Sequence, residues 1–577
     1  MLNSINYSLP EKLENAVQIK CGEWQKENKI ARIWQKDASV WTNDDEAKWL
    51  GWLDSVKAEF GKIQEYKDFA EDIKSAGFTD VLLMGMGGSS LCPEVLSMTF
   101  GAKNFHVLDS TVPAQIKTIE SRLNLEKTLF IVASKSGSTL EPNTFKQYFY
   151  ERVSQIVGKE NAGKQFVAIT DPNSKMQKVA ERDNFRKIFF GDPEIGGRFS
   201  ALSSFGMAAA AVMNLDVEDF LRRAQEMVEA CRNENPQENP GAILGIILGV
   251  CQTHGRDKLT IFTSKEIYDL GAWLEQLIAE STGKSGVSII PVDREPILDA
   301  EDYGSDRIFV YLKFKQGIAD VDNALAIGEI RRSGQPFIEI EVDGFYNLGQ
   351  EFFRWEFATA VAGAIMQINP FNQPDVEAAK IEAKKLTEEY EATGELPAET
   401  PFFEAAGIKL FSSEEYAAEL TAAVKEEQSL GSFDAARESQ NLAAYLEAHL
   451  LNLLPNDYFA VLAYIERNEE NDALLQAIRA KVLEEYLPAT CLGFGPRFLH
   501  STGQAYKGGA NNGVFLQITS DDAEDFSVPE QKFTFGVVKA AQARGDFQVL
   551  LNRERRALRV DLGADVKAGL EKLSTLI

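Results

Sequence analysis

Residues Ser134 to Thr139 place four hydroxyls (Ser134, Ser136, Ser138 and Thr139), the ammonium of Lys135 and the turn residue Gly137 in one short segment. An apolar run, TLFIVA, precedes it, and a helix can start near Leu140. Free N–H groups at a helix start, hydroxyl donors and a glycine that permits a tight turn make a site for a phosphate dianion. The motif is not a P-loop, because GxxxxGK[ST] is absent. A second loop at a strand end, GMGGSS (Gly85 to Ser90), would bring Gly88, Ser89 and its backbone amide to the same anion. An ordinary serine-rich connection is the plain alternative. A dinucleotide site would need GxGxxG and an acidic residue about 20 positions on. Asp109 supplies the acid, but the third glycine is missing.

Two further segments supply acid–base chemistry. In GGRFSALSSFG (Gly196 to Gly206), Arg198 stands beside two glycines ahead of an alanine-rich helix. Glycines let backbone approach a ligand, and the guanidinium can stabilise a developing oxyanion. In LEQLIAESTGKSG (Leu274 to Gly286), Glu280 lies four residues after Gln276, on the same helical face and near the helix end marked by Gly283. The negative end of the helix dipole and burial both disfavour a carboxylate there, as suits a general base working near neutral pH. In a chain with 87 acidic residues, a solvent-exposed glutamate is the bland alternative.

The elements that must hold these residues alternate between strand and helix. Strands are predicted in the run DVLLMGMGG (80–88), which ends in glycines, and at 105–110, 128–134, 165–170 and 187–190. A second series holds 259–264, 287–293, 308–314 and 337–342, and a third holds 458–465, 489–495, 514–520 and 557–563. Continuous apolar strands separated by helices imply buried, mostly parallel sheets covered on both faces, with ligands at the carboxyl ends of the strands. The expected fold is α/β: three-layer α/β/α sandwiches in two or three domains. Residues 1–75 read as a helical packing arm, 76–235 as the first domain, with the phosphate-type loops, 236–404 as the second domain with Glu280 and long helices, and 405–577 as a third, carrying His500. The third series follows the second element by element: TIFTS with AVLAY, SIIPV with TCLGF, IFVYLKF with VFLQITS, FIEIEV with ALRVDL. This suggests a duplication.

The 577 residues carry a formal charge of −27, from 60 Lys+Arg against 87 Asp+Glu. Such a surface repels nucleic acid and anionic lipid, so an anionic ligand needs a local pocket. No apolar run approaches the ~18 residues of a membrane span, and no secretory signal is visible, so a cytoplasmic enzyme is expected. Five scattered cysteines without CxxC argue against structural zinc and a disulfide framework. With four histidines (His106, His254, His449 and His500), a three-histidine metal site is nearly excluded.

Together the segments GMGGSS, SKSGST, GGRFS, ESTGK, FNQPDVEAAK (Phe371 to Lys380) and FGPRFLHSTGQAYKGG (Phe494 to Gly509) resemble those of the glucose-6-phosphate isomerases, in the sugar-isomerase (SIS) superfamily. The chain looks most like the isomerase half of bacterial transaldolase/glucose-6-phosphate isomerase fusions. No transaldolase barrel fits before the first sheet, so isomerase activity alone is expected. The resemblance implies a SIS-like fold and reversible conversion of glucose 6-phosphate and fructose 6-phosphate through a cis-enediol(ate). It implies that Gly88, Ser89, Ser134, Lys135, Ser136 and Thr139 bind the phosphate and that Gln276 lines the site. Glu280 is then the base, Arg198 the enediolate stabiliser, and His500 and Lys380 the ring-opening groups, with Glu141 pairing Lys380. Neither metal nor organic cofactor is implied, and a homodimer is left open.

Two departures stand out. Asp375 occupies a position where the family usually has glycine. The family's histidine loop lies between its glutamate and lysine, whereas here the order is Glu280, Lys380, His500, and the expected place holds REPILDAEDYGSD. Duplication accounts for this if the second series kept the glutamate and the third the histidine, in which case His500 shares the active site of Glu280. His449 and His254 read as structural, and His106 as part of a buried strand. A related isomerase acting on mannose 6-phosphate and a non-catalytic sugar-phosphate-binding regulator are the other readings. An aminotransferring relative would need an N-terminal cysteine that Cys21 does not supply.

Overall fold

The computed structural model describes residues 1–317, 321–429 and 438–577. Its strands are β1 (Ser4–Ser8), β2 (Asp80–Gly85), β3 (Phe105–Leu108), β4 (Thr128–Ala133), β5 (Phe166–Thr170) and β6 (Lys187–Phe190). Then come β7 (Lys258–Thr263), β8 (Ile290–Asp293), β9 (Arg307–Phe314) and β10 (Phe337–Val342). The last are β11 (Phe403–Ala405), β12 (Ile408–Phe411), β13 (Tyr458–Ala463), β14 (Ala489–Phe494), β15 (Gly513–Thr519) and β16 (Arg556–Asp561). They form three mostly parallel sheets flanked by helices, ordered β3-β2-β4-β5-β6, β1-β10-β9-β7-β8 and β11-β12-β16-β15-β13-β14. The expected α/β class holds. Central strands such as β4 are buried at every position, which is why they read as unbroken apolar runs.

The chain divides into two compact units. One comprises Met1–Asp109, Ile119–Glu301 and Asp306–Gln373; the other comprises Pro374–Ile577 with Ser110–Thr118 and Asp302–Ser305. The first two βα series therefore share a unit, where separate domains are expected from sequence. The physical reason is a common core. The apolar helices Pro240–Thr253 and Leu348–Ile365 are buried along almost their whole length and belong to one hydrophobic cluster with strands of both sheets. The helix Pro374–Thr393, assigned to the second domain by its sequence position, groups with the third series.

The N-terminal arm differs from its helical expectation in one place. β1 pairs antiparallel with β10, Ser4 opposite Glu341 and Ser8 opposite Phe337. Its alternation of exposed and half-buried residues marks an edge strand. The rest of the arm is helical and packs as expected, with Trp24, Trp41 and Trp52 buried in the core. The short hairpin β11–β12 is a second element that the sequence does not announce.

The second and third sheets have the same topology. Matching β7 to β13, β8 to β14, β9 to β15 and β10 to β16 turns β10-β9-β7-β8 into β16-β15-β13-β14. All of these neighbours are parallel. An antiparallel strand flanks each series at the same edge, β1 beside β10 and β12 beside β16. Binary patterning produces alternating strands and helices, but it does not dictate a crossover order; the agreement supports the duplication read from sequence.

His449 is structural. It is buried, its Nδ1 lies 3.0 Å from the Tyr416 hydroxyl, and burial pushes its imidazole down to about 3. An unfolded histidine titrates near ~6.5. The folded value is the lower one, so this contribution to stability is complete above the unfolded value. It is lost as pH falls toward the folded value, because the unfolded chain binds a proton that the folded chain refuses. Going from about pH 7 to about pH 5 should cost on the order of 2 kcal/mol through this group. Urea unfolding of wild type and His449→Asn at both pH values should show a flatter dependence in the variant; equal dependence would locate the titration elsewhere. The five cysteines are buried free thiols. His106 is half-buried rather than buried, 3.9 Å from Asp80.

Candidate active site

The hydroxyl loop and the glycine loop leave neighbouring strands at the same level. β2 and β4 are parallel partners with Gly85 opposite Ala133, so GMGGSS and SKSGST emerge side by side at their carboxyl ends. Gly137 has φ +67°, the left-handed conformation that glycine adopts without strain, and a Cβ there would lie 2.2 Å from the Met176 amide nitrogen. The helix Leu140–Val157 starts where expected. Thr139 occupies its N-cap, yet the hydroxyl makes no cap bond. The Ser134 hydroxyl is buried without a hydrogen-bond partner among the described residues. Ser136 and Ser138 share a hydrogen bond of 2.6 Å between their hydroxyls. Lys135 pairs with Asp171 and donates to the Asp192 carbonyl at 3.0 Å. Burial holds the Asp171 carboxyl above its ordinary value against the opposing effect of Lys135.

Gly88 has a packing reason. A Cβ on it would sit 2.0 Å from the carbonyl oxygen of Gly197, so the glycine loop and the GGRFS loop can touch only through glycine. The Ser200 hydroxyl lies at this junction, 2.6 Å from the Gly197 carbonyl within its own loop and 3.4 Å from the Gly88 carbonyl across it. The glycine therefore serves loop-to-loop contact, which weakens the dinucleotide alternative. Ser89, half-buried, follows in the same turn.

This contact sets Arg198 beside Glu280. Arg198 Nη1 lies 2.9 Å from Glu280 Oε1, and both side chains are less than one-tenth exposed. Gln276 Nε2 donates to Glu280 Oε2 at 3.1 Å, the one-turn spacing that their sequence separation implies. Glu280 is thus buried, as a general base requires, and engaged on both oxygens. Arg198 also donates to Ser281 Oγ at 3.0 Å, Gln373 Oε1 at 3.0 Å and the carbonyls of Pro370 and Asn372 at 3.1 and 3.2 Å. Lys284 donates to the Asn369 carbonyl at 2.8 Å and bonds the Asn372 carbonyl. Sequence reasoning missed Ser281, Lys284 and Gln373 as site residues. All three lie inside the quoted motifs ESTGK and FNQP, but nothing in their spacing reveals that they steady a distant arginine or its surroundings.

Lys380 and His500 belong to the other compact unit. Lys380 is half-exposed on the helix Pro374–Thr393 and pairs with Glu377 at 2.8 Å, where the resemblance implies Glu141. His500 is half-buried at the end of the short turn Arg497–His500, between β14 and the helix Gly503–Gly508. In the second series the corresponding place, after β8, is filled by a structural loop. There Glu295 and Arg307 form a buried ion pair at 2.8 Å, and Arg307 also bonds Thr260.

Hydroxyl-rich and glycine-rich βα loops thus stand near a buried carboxylate–guanidinium pair, an arrangement that can hold an anion next to acid–base groups. Residues 53–294 match the model of the phosphoglucose isomerase family. The chain is 26% identical over 373 residues to a probable glucose-6-phosphate isomerase of Methanococcus maripaludis, covering 57% of this chain and 82% of that one. It is 29% identical over 363 residues to the glucose-6-phosphate isomerase of Rubrobacter xylanophilus, covering 54% and 83%. It is 33% identical over 239 residues to that of Trichormus variabilis, covering 38% and 45%. A solved structure of a hypothetical protein from Thermus thermophilus shares the fold with a TM-score of 0.56 at 22% identity, covering 66% of this chain and 99% of that one. The similarity to glucose-6-phosphate isomerases read from the motifs is therefore shown.

Proposed function

We propose that the chain interconverts glucose 6-phosphate and fructose 6-phosphate through a cis-enediol(ate). The observation that carries this reading is the buried Arg198–Glu280 pair at 2.9 Å, reached from the phosphate-type loops through the Gly88–Gly197 contact. The Ser134 hydroxyl, buried without a partner among the described residues, and the Thr139 hydroxyl, which makes no cap bond, suit a phosphate. Glu280 takes the C2 proton of the aldose and returns it at C1, with Arg198 offsetting charge on the enediolate oxygen. His500 and Lys380 are the groups we assign to ring opening. A proton shuttle needs neither metal nor organic cofactor. The negative charge and the sugar-phosphate substrate suit the cytoplasm, and among the described residues no helix is long and apolar enough to cross a membrane.

A coupled assay on fructose 6-phosphate, with mannose 6-phosphate in parallel and each with and without EDTA, tests the reading. Turnover of fructose 6-phosphate unaffected by EDTA is expected. No turnover, or activity lost to EDTA and restored by zinc, would refute it. Within the phosphate loop, Ser136→Ala and Thr139→Ala should mainly raise KM. A hydrogen bond to a charged group contributes roughly 1.5–3 kcal/mol, or about ten- to a hundredfold, in ground and transition states alike. A fall in kcat at constant KM would assign these hydroxyls another role.

A further inference from the structure

The position where the family usually has glycine is built into a buried polar clamp. Asp375 is 4% exposed and Gln504 fully buried. The Gln504 side-chain oxygen accepts from the backbone N–H groups of Asp375 at 2.9 Å and Val376 at 3.1 Å, in the first turn of the helix Pro374–Thr393. Its Nε2 donates to Asp375 Oδ2 at 2.8 Å, and Arg553 Nη2 reaches Asp375 Oδ1 at 2.5 Å. Both polar atoms of the Gln504 amide are thus used on one residue and its neighbour, and the carboxylate is held from two sides. A glycine at 375 could offer only the backbone half of this arrangement.

What the clamp joins is the point of interest. Gln504 lies four positions after His500 in the histidine loop, and Asp375 lies five before Lys380. The far end of the histidine segment is also fixed: Arg555 Nη2 donates to the carbonyls of Lys507 and Gly509, both at 2.7 Å, and Lys507 pairs with Asp546 at 2.5 Å. The lysine helix is also closely packed one turn after Lys380, since a Cβ on Gly545 would lie 2.6 Å from the Ala383 amide nitrogen. We infer that Asp375 is a positioning residue for ring opening, registering the helix of Lys380 against the loop of His500. This inference rests on the sugar-phosphate isomerase reading above.

The test compares two substrates. Fructose 6-phosphate must be opened before proton transfer. In 5-deoxyfructose 6-phosphate the hydroxyl that closes the ring is absent, so the chain stays open and only proton transfer is read. Solvent-deuterium incorporation at C1 is followed for wild type, Asp375→Ala and Arg553→Ala. Asp375→Ala is expected to slow exchange on fructose 6-phosphate by about tenfold or more and to leave the 5-deoxy substrate within about threefold. Arg553→Ala, altered at the half-exposed end of the clamp and so safe for folding, should show the same selectivity at smaller size. Equal slowing on both substrates would mean that Asp375 merely supports the fold, and no slowing on either would mean that it positions nothing; both overturn the inference. Wild type exchanging neither substrate would instead overturn the isomerase reading and this inference with it.

Discussion

Glu280→Gln is expected to lower kcat for fructose 6-phosphate by about 10²–10⁴-fold, while KM stays within a small factor of wild type. The amide keeps the shape of the carboxyl and can still accept from Arg198 and meet Gln276 in the buried site. It cannot accept the C2 proton. If the hydroxyl loops hold the phosphate as proposed, the loss should fall on kcat and on kcat/KM together. Stopped-time assays with deuterium incorporation at C1 and C2 separate the two. A variant within threefold of wild-type kcat would place the base elsewhere.

Arg198→Ala is expected to be costly in two measurements at once. Removal of one preorganised donor to a developing oxyanion typically lowers kcat by about 10²–10³-fold. Breaking a buried ion pair by deleting one partner costs about 3–5 kcal/mol, because the remaining charge is left uncompensated. Here the guanidinium also ties Ser281, Gln373 and the 370–372 backbone together, so thermal stability should fall as well. Arg198→Lys separates the two effects. A lysine keeps the charge but cannot reproduce five directed contacts from a planar fork. Full kcat in Arg198→Lys with a lowered melting temperature would make Arg198 a scaffold and not a participant.

The central strands were legible because burial on both faces leaves an uninterrupted apolar signal, and their boundaries fell within a few residues of those predicted. β1 and the hairpin β11–β12 were not, because these strands at and next to sheet edges carry mixed polarity over three to five residues. The Gln276–Glu280 contact was legible because one helical turn fixes it. The Arg198 network was not: its side-chain partners Ser281 and Gln373 lie 83 and 175 positions away, and only the fold decides which groups meet a guanidinium. The pairing of Lys380 with Glu377 has a simpler origin, since a neighbour one turn away on the same helix is always within reach.

The antiparallel edge of the second sheet also sets a timetable for synthesis. Ser4 must wait for Glu341, its partner in β1–β10. At a translation rate of about 5–20 residues per second, that interval is on the order of 20–70 s. Throughout it β1 has no ladder to join, and the buried hydrogen bonds of Asn3 with Gln350 and Glu351 cannot form. This strand is therefore made long before it can be stitched into its unit.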